Sequence, residues 1–254
     1  MTEPANWSLT IIESATSTSD LAREAADAGL PSGSAFLAMQ QSAGRGRHGR
    51  HWASQRGGMY LSVLVRPEIA KNLWFGFSFA AALAVHDAVA EYFERYLTPH
   101  DMPQMGVKWP NDVIVDGGKI AGILLEARAS SLIIGSGVNI APLRDIPEGR
   151  FAPVAMASFL PLANQRPSPQ LLADVYLDRL AYWIGQLIDG GFSFIHTAWR
   201  QRALFLGKRV EVELQGQVLR GVFTDLDLDG SMLLLDDSGK THHITTGDVQ
   251  LPGD

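Results

Sequence analysis

Three arginines alternate with three glycines in the segment QQSAGRGRHGRHW, residues 40–52, which we call the arginine–glycine loop. A guanidinium group can donate two parallel hydrogen bonds to a carboxylate or a phosphate. Glycine lets a backbone approach a ligand closely and rearrange. The loop therefore predicts a flap that orders around a polyanionic ligand. Two alternatives stay open, a solvated disordered loop and an RGG-like contact with nucleic acid. Trp52, which ends the loop, is either a core anchor or a lid over a bound ring.

Lysine, asparagine and aspartate surround a proline in the segment KWPNDV, residues 108–113. Lys108 and Trp109 lie in an otherwise apolar strand pattern, where a lysine needs an anionic partner. Asp112 has the chemistry of a magnesium ligand, because Mg²⁺ takes few carboxylates together with substrate phosphates. The alternative for Asp112 is a local turn in which its side chain bonds the backbone.

Glycines interrupt two further apolar segments, GGKIAGILLE and GSGVN. The first lacks the spacing and the helix of a phosphate-binding P-loop, so Lys119 opens a strand after a tight turn. Gly122 inside that strand indicates close approach of a ligand or of another backbone. The second segment, residues 135–139, is expected to break a strand and supplies Asn139. The histidines show no metal-ligand spacing, and we interpret His242 and His243 as ordinary strand residues.

The elements that must position these residues follow from apolar runs and from the residues that bound them. Strands are predicted over 9–12, 34–40, 59–67 and 131–140, and a β-hairpin is predicted from 107–115 and 119–127 around the turn at 116–118. Helices are predicted from the Ser17–Ser19 cluster to Gly29, over 73–96, from Ser168-Pro169 to about 190, and over 194–204. The proline-rich segment 141–167 is predicted to be irregular.

The character of the sequence changes at Gly207, after which four short predicted strands, KRVEVEL, QVLRGVFT, SMLLL and KTHHIT, follow one another at close spacing. This tail of ~50 residues is too short for much independent stability, so we expect a small all-β barrel docked on the main domain. The sequence thus predicts a main domain over 1–205 and a C-terminal domain over 206–254.

Composition excludes several classes of protein. The chain has 254 residues, no cysteine and a formal net charge of −6. Disulfides and thiolate zinc sites are therefore excluded, and a general nucleic-acid binder with a basic footprint is disfavoured. No secretory signal is recognised, and no apolar run is expected to approach the ~18 residues of a membrane span. We expect a cytoplasmic protein.

The order of these motifs resembles that of biotin–protein ligases. A Ser/Thr cluster, then GRGRxGRxW, KWPND, GKxxGILxE, GxGxN and a small β tail follow one another from about residue 9 to the end. The resemblance implies an α+β fold, with a mixed sheet and helices similar to class II aminoacyl-tRNA synthetases and an SH3-like C-terminal barrel. It also implies synthesis of biotinyl-5′-AMP from biotin and ATP with Mg²⁺. Biotin then passes to a lysine of a carboxyl carrier domain.

The resemblance also implies roles for individual residues. For biotin binding it indicates Ser17, Thr18, Ser19, Gln41, Arg45, Gly46, Arg47, Lys119 and Gly122. For ATP and the adenylate it indicates Arg45, Arg47, Trp52, Asn111 and Asn139. Arg47, Lys119 and Lys108 are the expected catalytic residues, and Asp112 is the expected magnesium ligand.

Two departures from the family pattern limit these expectations. About eight residues precede the first predicted strand, so we expect neither a DNA-binding domain nor repressor activity. Pro252 stands where the family can have an arginine, which puts a contribution of the tail to ATP binding in doubt. A lipoate or octanoate ligase of the same superfamily and an RG-loop nucleic-acid module remain alternatives. Family members often pair through sheet edges, so a homodimer is possible.

Overall fold

A mixed seven-stranded sheet forms the larger part of the computed structural model, which describes residues 6–142, 152–214 and 216–252. Its strands are β1 (Ser8–Ile12), β2 (Ser34–Ala38), β3 (Met59–Val65), β4 (Met105–Lys108), β5 (Asp112–Val115), β6 (Gly118–Ala127) and β7 (Leu132–Val138). Their order in the sheet is β1-β2-β3-β7-β6-β5-β4. Only β1 and β2 run parallel, and each of the other neighbouring pairs is antiparallel.

Four α-helices cover this sheet in the described part of the chain. They are α1 (Thr18–Asp27), α2 (Gly76–Tyr96), α3 (Pro169–Gly190) and α4 (Phe192–Arg202). Helix α1 packs on β2, β3 and β7, whereas α2 packs on β4–β7 and on α3 and α4. The predicted start of α3 at Ser168-Pro169 is confirmed, because Ser168 caps the helix and its side chain accepts from the Leu171 amide at 3.2 Å. Part of the predicted irregular segment, residues 143–151, lies outside the described residues.

The apolar helix at 71–96 corrects one expectation. An 18-residue window within it has a mean hydropathy of 1.5, so by length and composition alone the chain does contain a segment that fits a membrane span. However, 67% of that window is buried inside the protein. A buried core helix passes the same test, so this single segment is weak evidence for a membrane protein.

The KWPND segment also differs from the prediction. The expected single strand over 107–115 is two antiparallel strands, β4 and β5, with Lys108 paired directly with Asp112. Trp109, Pro110 and Asn111 form the turn between them. The predicted hairpin is instead β5–β6, whose turn places Asp116 and Gly117 at positive φ. Apolar composition alone did not separate two buried strands from one.

Strand β7 is continuous, contrary to the expected break at its glycines. Gly135 pairs with Ser62 of β3 and Gly137 with Tyr60, so both keep regular antiparallel partners. The glycines therefore do not end the strand, and they remove side chains from one face of the sheet.

A five-stranded antiparallel sheet follows, in the order β11-β10-β9-β8-β12. Its strands are β8 (Arg209–Leu214), β9 (Gln217–Leu226), β10 (Met232–Leu235), β11 (Thr241–Ile244) and β12 (Asp248–Gln250). Four were predicted and β12 was not. Within the described residues the edge strands β11 and β12 do not pair with each other.

The two sheets share a continuous contact surface. Trp109 Nε1 donates to the Gly230 carbonyl oxygen at 3.0 Å. The Nε2 atom of His196 lies 2.6 Å from the carbonyl oxygen of Leu226. Trp199 of α4 packs between Phe79 of α2 and Phe223 of β9. This packing brings the turn before β12 and β12 itself to the edge of the site described next.

Candidate functional site

One cavity of about 240 Å³ brings the predicted site residues together. All fourteen line it: Ser17, Thr18, Ser19, Gln41, Arg45, Gly46, Arg47, Trp52, Lys108, Asn111, Asp112, Lys119, Gly122 and Asn139. They come from the start of α1, the arginine–glycine loop, the KWPND turn, β5, β6 and the end of β7. Residues far apart in the chain thus converge on one side of the large sheet.

A row of paired residues forms the floor of the cavity. Tyr60 of β3 faces Gly137 of β7, Gly137 faces Gly122 of β6, Gly122 faces Asp112 of β5, and Asp112 faces Lys108 of β4. Directly opposed residues project on the same face of a sheet. The two glycines therefore leave a gap between a tyrosine and a charged pair.

Trp52 fills that gap. A Cβ atom on Gly137 would lie 2.5 Å from Trp52 Nε1, and one on Gly122 would lie 3.0 Å from Trp52 Cζ3. Lys119 Nζ lies 5.3 Å from the centre of the indole ring, within cation–π range. The indole N–H has no hydrogen-bond partner among the described residues. The loop thus lays a flat aromatic surface with an unused donor across the floor of the cavity.

Buried hydroxyl groups line the end of the cavity beside α1. Ser62 Oγ of β3 lies 2.8 Å from Thr18 Oγ1 and 3.2 Å from Ser19 Oγ. The Thr18 amide donates to Gln41 Oε1 at 2.7 Å. Hydroxyl groups both donate and accept hydrogen bonds, so this cluster suits a small ligand that carries amide or urea groups.

Gln41 connects the hydroxyl cluster to the indole. Its Nε2 donates to Ser54 Oγ at 2.8 Å, and that hydroxyl donates to the Trp52 carbonyl oxygen at 2.9 Å. The side chain that bonds Thr18 is therefore two hydrogen bonds from the backbone of Trp52. A chain of hydrogen bonds therefore connects the hydroxyl cluster to Trp52.

The positive end of the cavity is built around Asp112. Lys108 Nζ lies 3.1 Å from one carboxylate oxygen of Asp112, and Lys119 Nζ lies 2.6 Å from the other. Desolvation by burial lowers the pKa of Lys108, while the charge of Asp112 opposes this shift. Desolvation also acts to raise the pKa of Asp112, but the two lysines outweigh it and the net shift is downward. The Asp112 carboxylate therefore lies between two basic side chains, one on each of its oxygens.

The arginines of the loop make separate contacts. Arg45 donates two hydrogen bonds of 2.9 Å to Asp20 of α1, which hold the pKa of that carboxyl below its usual value. Arg47 donates to Asn111 at 3.3 Å and to Thr246, in the turn between β11 and β12, at 2.9 Å. Burial lowers the pKa of Arg47, and nearby Asp248 and Asp112 oppose this shift. The loop is thus attached on both sides of the cavity.

The geometry does not fit the predicted magnesium site at Asp112. Each oxygen of this carboxylate already contacts an ammonium group. Among the described residues no three histidine or acidic side chains lie close enough to hold a metal ion. Mg²⁺ prefers several oxygen ligands around it, and two neighbouring cations oppose its approach.

Sequence reasoning missed several residues that line the cavity, notably Tyr60, Ser62 and Asp248. Tyr60 and Ser62 are polar residues two positions apart in the apolar strand MYLSVLV, and that spacing was an available signal for one shared face. Asp248 lies in a β12 strand that was not predicted. Asn139, which was predicted, donates from Nδ2 to the Val154 carbonyl oxygen at 3.1 Å.

Comparisons with known proteins identify the family of this chain. The model of the biotin/lipoate A/B protein ligase family matches residues 11–139, and the biotin protein ligase C terminal domain matches residues 205–251. The biotin--[acetyl-CoA-carboxylase] ligase of Mycobacterium tuberculosis is 36% identical over 94% of this chain and 86% of its own length. That of Paracoccus denitrificans is 34% identical over 82% of this chain and 87% of its own.

A solved structure shows the same fold over nearly the whole chain. The biotin protein ligase from Aquifex aeolicus in complex with biotin and ATP has a TM-score of 0.79 and 26% sequence identity, covering 95% of this chain and 97% of that one. The resemblance inferred from the order of motifs is thereby confirmed. The chain belongs to the biotin/lipoate A/B protein ligase family, among its biotin protein ligases.

Proposed function

We propose that this protein is an ATP-dependent biotin ligase that makes biotinyl-5′-AMP and transfers biotin to a lysine of a carboxyl carrier domain. One observation carries the proposal. A single cavity joins a buried hydroxyl cluster at one end to Lys108, Lys119 and Arg47 at the other. The first end suits an uncharged ureido ring, and the second suits a carboxylate and phosphates.

In the first step a biotin carboxylate oxygen attacks the α-phosphorus of ATP. The bond from that phosphorus to the bridging oxygen breaks, and pyrophosphate leaves with the electron pair. Negative charge grows on the phosphoryl oxygens, where Arg47, Lys119 and Lys108 are positioned to stabilise it. Removal of one such preorganised group costs roughly 10²–10³ in rate. The step needs no protein nucleophile.

Ligand contacts follow from the two ends of the cavity. Ser17, Thr18, Ser19 and Gln41, with Ser62 added by the structure, would bond the ureido ring. The second group would contact the activated carboxyl and the adenylate: Arg45, Gly46, Arg47, Trp52, Asn111, Lys119, Gly122 and Asn139. The mixed anhydride is fragile in water, so closure of the arginine–glycine loop would also exclude solvent.

In the second step the neutral amine of the carrier lysine attacks the acyl carbon. The bond from that carbon to the phosphate oxygen breaks, AMP leaves, and the amine nitrogen loses a proton. Biotin ends in an amide bond to the carrier. The same cations that stabilise pyrophosphate would stabilise the leaving AMP.

Further expectations belong to this proposal. We expect the five-stranded sheet to be an SH3-like domain, 206–254, beside a catalytic domain over 1–205. We also expect a cytoplasmic protein without repressor activity, in which pairing of sheet edges is a possible route to a homodimer. Specific binding to a biotin-operon promoter in a gel-shift assay would contradict the absence of repressor activity.

The test is to incubate the protein with ATP, Mg²⁺, a carrier domain and either biotin, lipoate or octanoate. We expect a biotin-sized mass increase of the carrier with biotin alone. Modification by lipoate or octanoate instead would favour the other branch of the family. Co-purifying RNA, with no modification of the carrier, would favour the nucleic-acid alternative.

A further inference from the structure

Asp112 contacts both lysines of the site at once. Its two carboxylate oxygens lie 3.1 Å from Lys108 Nζ and 2.6 Å from Lys119 Nζ, one lysine on each oxygen. Lys108 is 3% exposed and Asp112 7% exposed. Burial of charges is costly unless they are paired, so this carboxylate stabilises the buried ammonium group of Lys108 beside the partly exposed one of Lys119.

Strand register explains how the two lysines reach one carboxylate. Lys108 is directly opposite Asp112 in the β4–β5 pair. Lys119 is three residues before Gly122, which is opposite Asp112 in the β5–β6 pair. A shift in the β5–β6 register between Val113 and Ile114 accompanies this arrangement.

Because Gly122 has no side chain, the space through which Lys119 reaches Asp112 stays open. A Cβ atom at Gly122 would lie 3.2 Å from Lys119 Cε and 3.3 Å from its Nζ. Both contacts are tight for a Cβ atom, so a side chain at this position would push the end of Lys119 aside by a few tenths of an ångström. The glycine and the register shift together aim Lys119 at the carboxylate.

We propose that Asp112 is a positioning residue that holds the ammonium groups of Lys108 and Lys119 at the positive end of the cavity, where the phosphates of ATP would bind. Under this proposal Mg²⁺ arrives on ATP and is not held by this carboxylate. The inference rests on the proposed function. Two like charges placed beside each other repel, and a shared counter-charge removes most of that penalty. Without it the lysines would separate or one would lose its proton, and the developing phosphoryl charge would lose a partner.

The experiment measures biotin-dependent exchange of pyrophosphate into ATP at increasing Mg²⁺ for wild type and Asp112→Asn. We expect kcat to fall about 100-fold, as when one preorganised charge is removed. The Mg²⁺ concentration for half-maximal rate should change by less than about twofold, since no metal ligand is lost. A rise of the Mg²⁺ requirement by tenfold or more, with kcat restored at high Mg²⁺, would overturn the proposal.

A direct metal measurement adds an independent readout. Mn²⁺ is titrated into the nucleotide-free protein, and unbound Mn²⁺ is counted by electron paramagnetic resonance. We expect no stoichiometric binding to wild type. A stoichiometric site that is lost in Asp112→Asn would assign this carboxylate to a metal and reject our inference.

A double variant separates positioning from folding. Asp112→Asn leaves the buried Lys108 and the partly exposed Lys119 without their shared counter-charge and is expected to lower the melting temperature. Adding Lys108→Met removes one of those cations, so stability should recover while kcat stays low. Because Lys108 is itself a proposed catalytic residue, the reference for kcat is Lys108→Met alone. A double variant as stable and as active as that reference would show that Asp112 acts only on folding.

The matched control is Asp87→Asn, which removes a carboxylate bonded to Trp183 and Arg202 in the helical layer. Its folded fraction should keep the wild-type kcat and Mg²⁺ requirement. If wild type itself makes no adenylate, the proposed ligase function fails. If wild type is active and Asp112→Asn keeps its kcat, only the inference about Asp112 fails.

Discussion

Arg50 of the arginine–glycine loop and Asp248 of β12 form an ion pair with 3.0 Å between guanidinium nitrogen and carboxylate oxygen. They are 198 residues apart in the chain. A second contact, from Arg47 to Thr246, lies beside it. Lys108 also donates to the Val249 carbonyl oxygen at 3.4 Å. The second sheet is therefore part of the site, because it holds the loop and one of the lysines.

Asp248→Asn should loosen the loop and leave the fold intact. The pair is partly exposed, and such pairs contribute about 0–1 kcal/mol, so the melting temperature should change little. The loop would open more often, and biotinyl-AMP would escape sooner. We expect stronger biotin labelling of bystander serum albumin than with wild type.

The matched control for this variant is Asp237→Asn. Asp237 pairs with Arg209 on the same sheet at 2.5 Å, and neither residue lines the cavity. Albumin labelling should stay at the wild-type level in this control. Equal labelling by both variants would show that the contact to Asp248 does not retain the adenylate.

Arg47→Gly should weaken synthesis of the adenylate without eliminating it. The change removes the hydrogen bonds to Asn111 and Thr246 and adds backbone freedom to the loop. We expect faster escape of biotinyl-AMP and a gain of albumin labelling on a biotin blot. Equal, negligible labelling by variant and wild type, with equal retention of the adenylate, would mean that this loop is not the retaining flap.

Lys119→Ala should nearly abolish adenylate synthesis while the protein stays folded. The Lys119 side chain is 27% exposed at the cavity, so its truncation leaves no core void, and Asp112 keeps Lys108 as its partner. The assay is biotin-dependent pyrophosphate release, with thermal unfolding measured alongside. The exposed Lys240→Ala is the control for loss of a lysine. A Lys119→Ala rate near that of wild type would contradict the catalytic assignment.

Gly137→Ala and Gly135→Ala should affect different ligands, although the two glycines are neighbours on one strand. A Cβ at Gly137 would lie 2.5 Å from Trp52 Nε1, whereas one at Gly135 would lie 3.1 Å from Ser19 Oγ. Forcing an extra methyl into a packed site costs about 1–3 kcal/mol. We expect the first variant to lose affinity mainly for ATP and the second mainly for biotin, as measured by calorimetry. The same loss for both ligands in both variants would refute this division of the cavity.

The sequence predicted the motifs of the candidate site better than it predicted the strand pairings and the sheet contacts that position them. The arginine–glycine loop, the KWPND motif and the helix that starts at Pro169 have strong local signals, since residue type alone restricts what they can form. The division into β4 and β5 depends on which strands pair, and apolar composition is the same for either outcome. The role of Asp248 depends on how the second sheet docks. No local pattern encodes a contact across 198 residues.

The contacts from Thr246, Asp248 and Val249 have a consequence for biosynthesis. A ribosome makes the chain from the N-terminus, so the loop, both lysines and Asp112 emerge long before the residues that fasten the loop. A nascent chain that has reached only the end of α4 contains all fourteen predicted site residues but lacks these partners. Under our proposal, retention of the reactive intermediate is the last property the enzyme acquires, and it is acquired only once β12 has been translated.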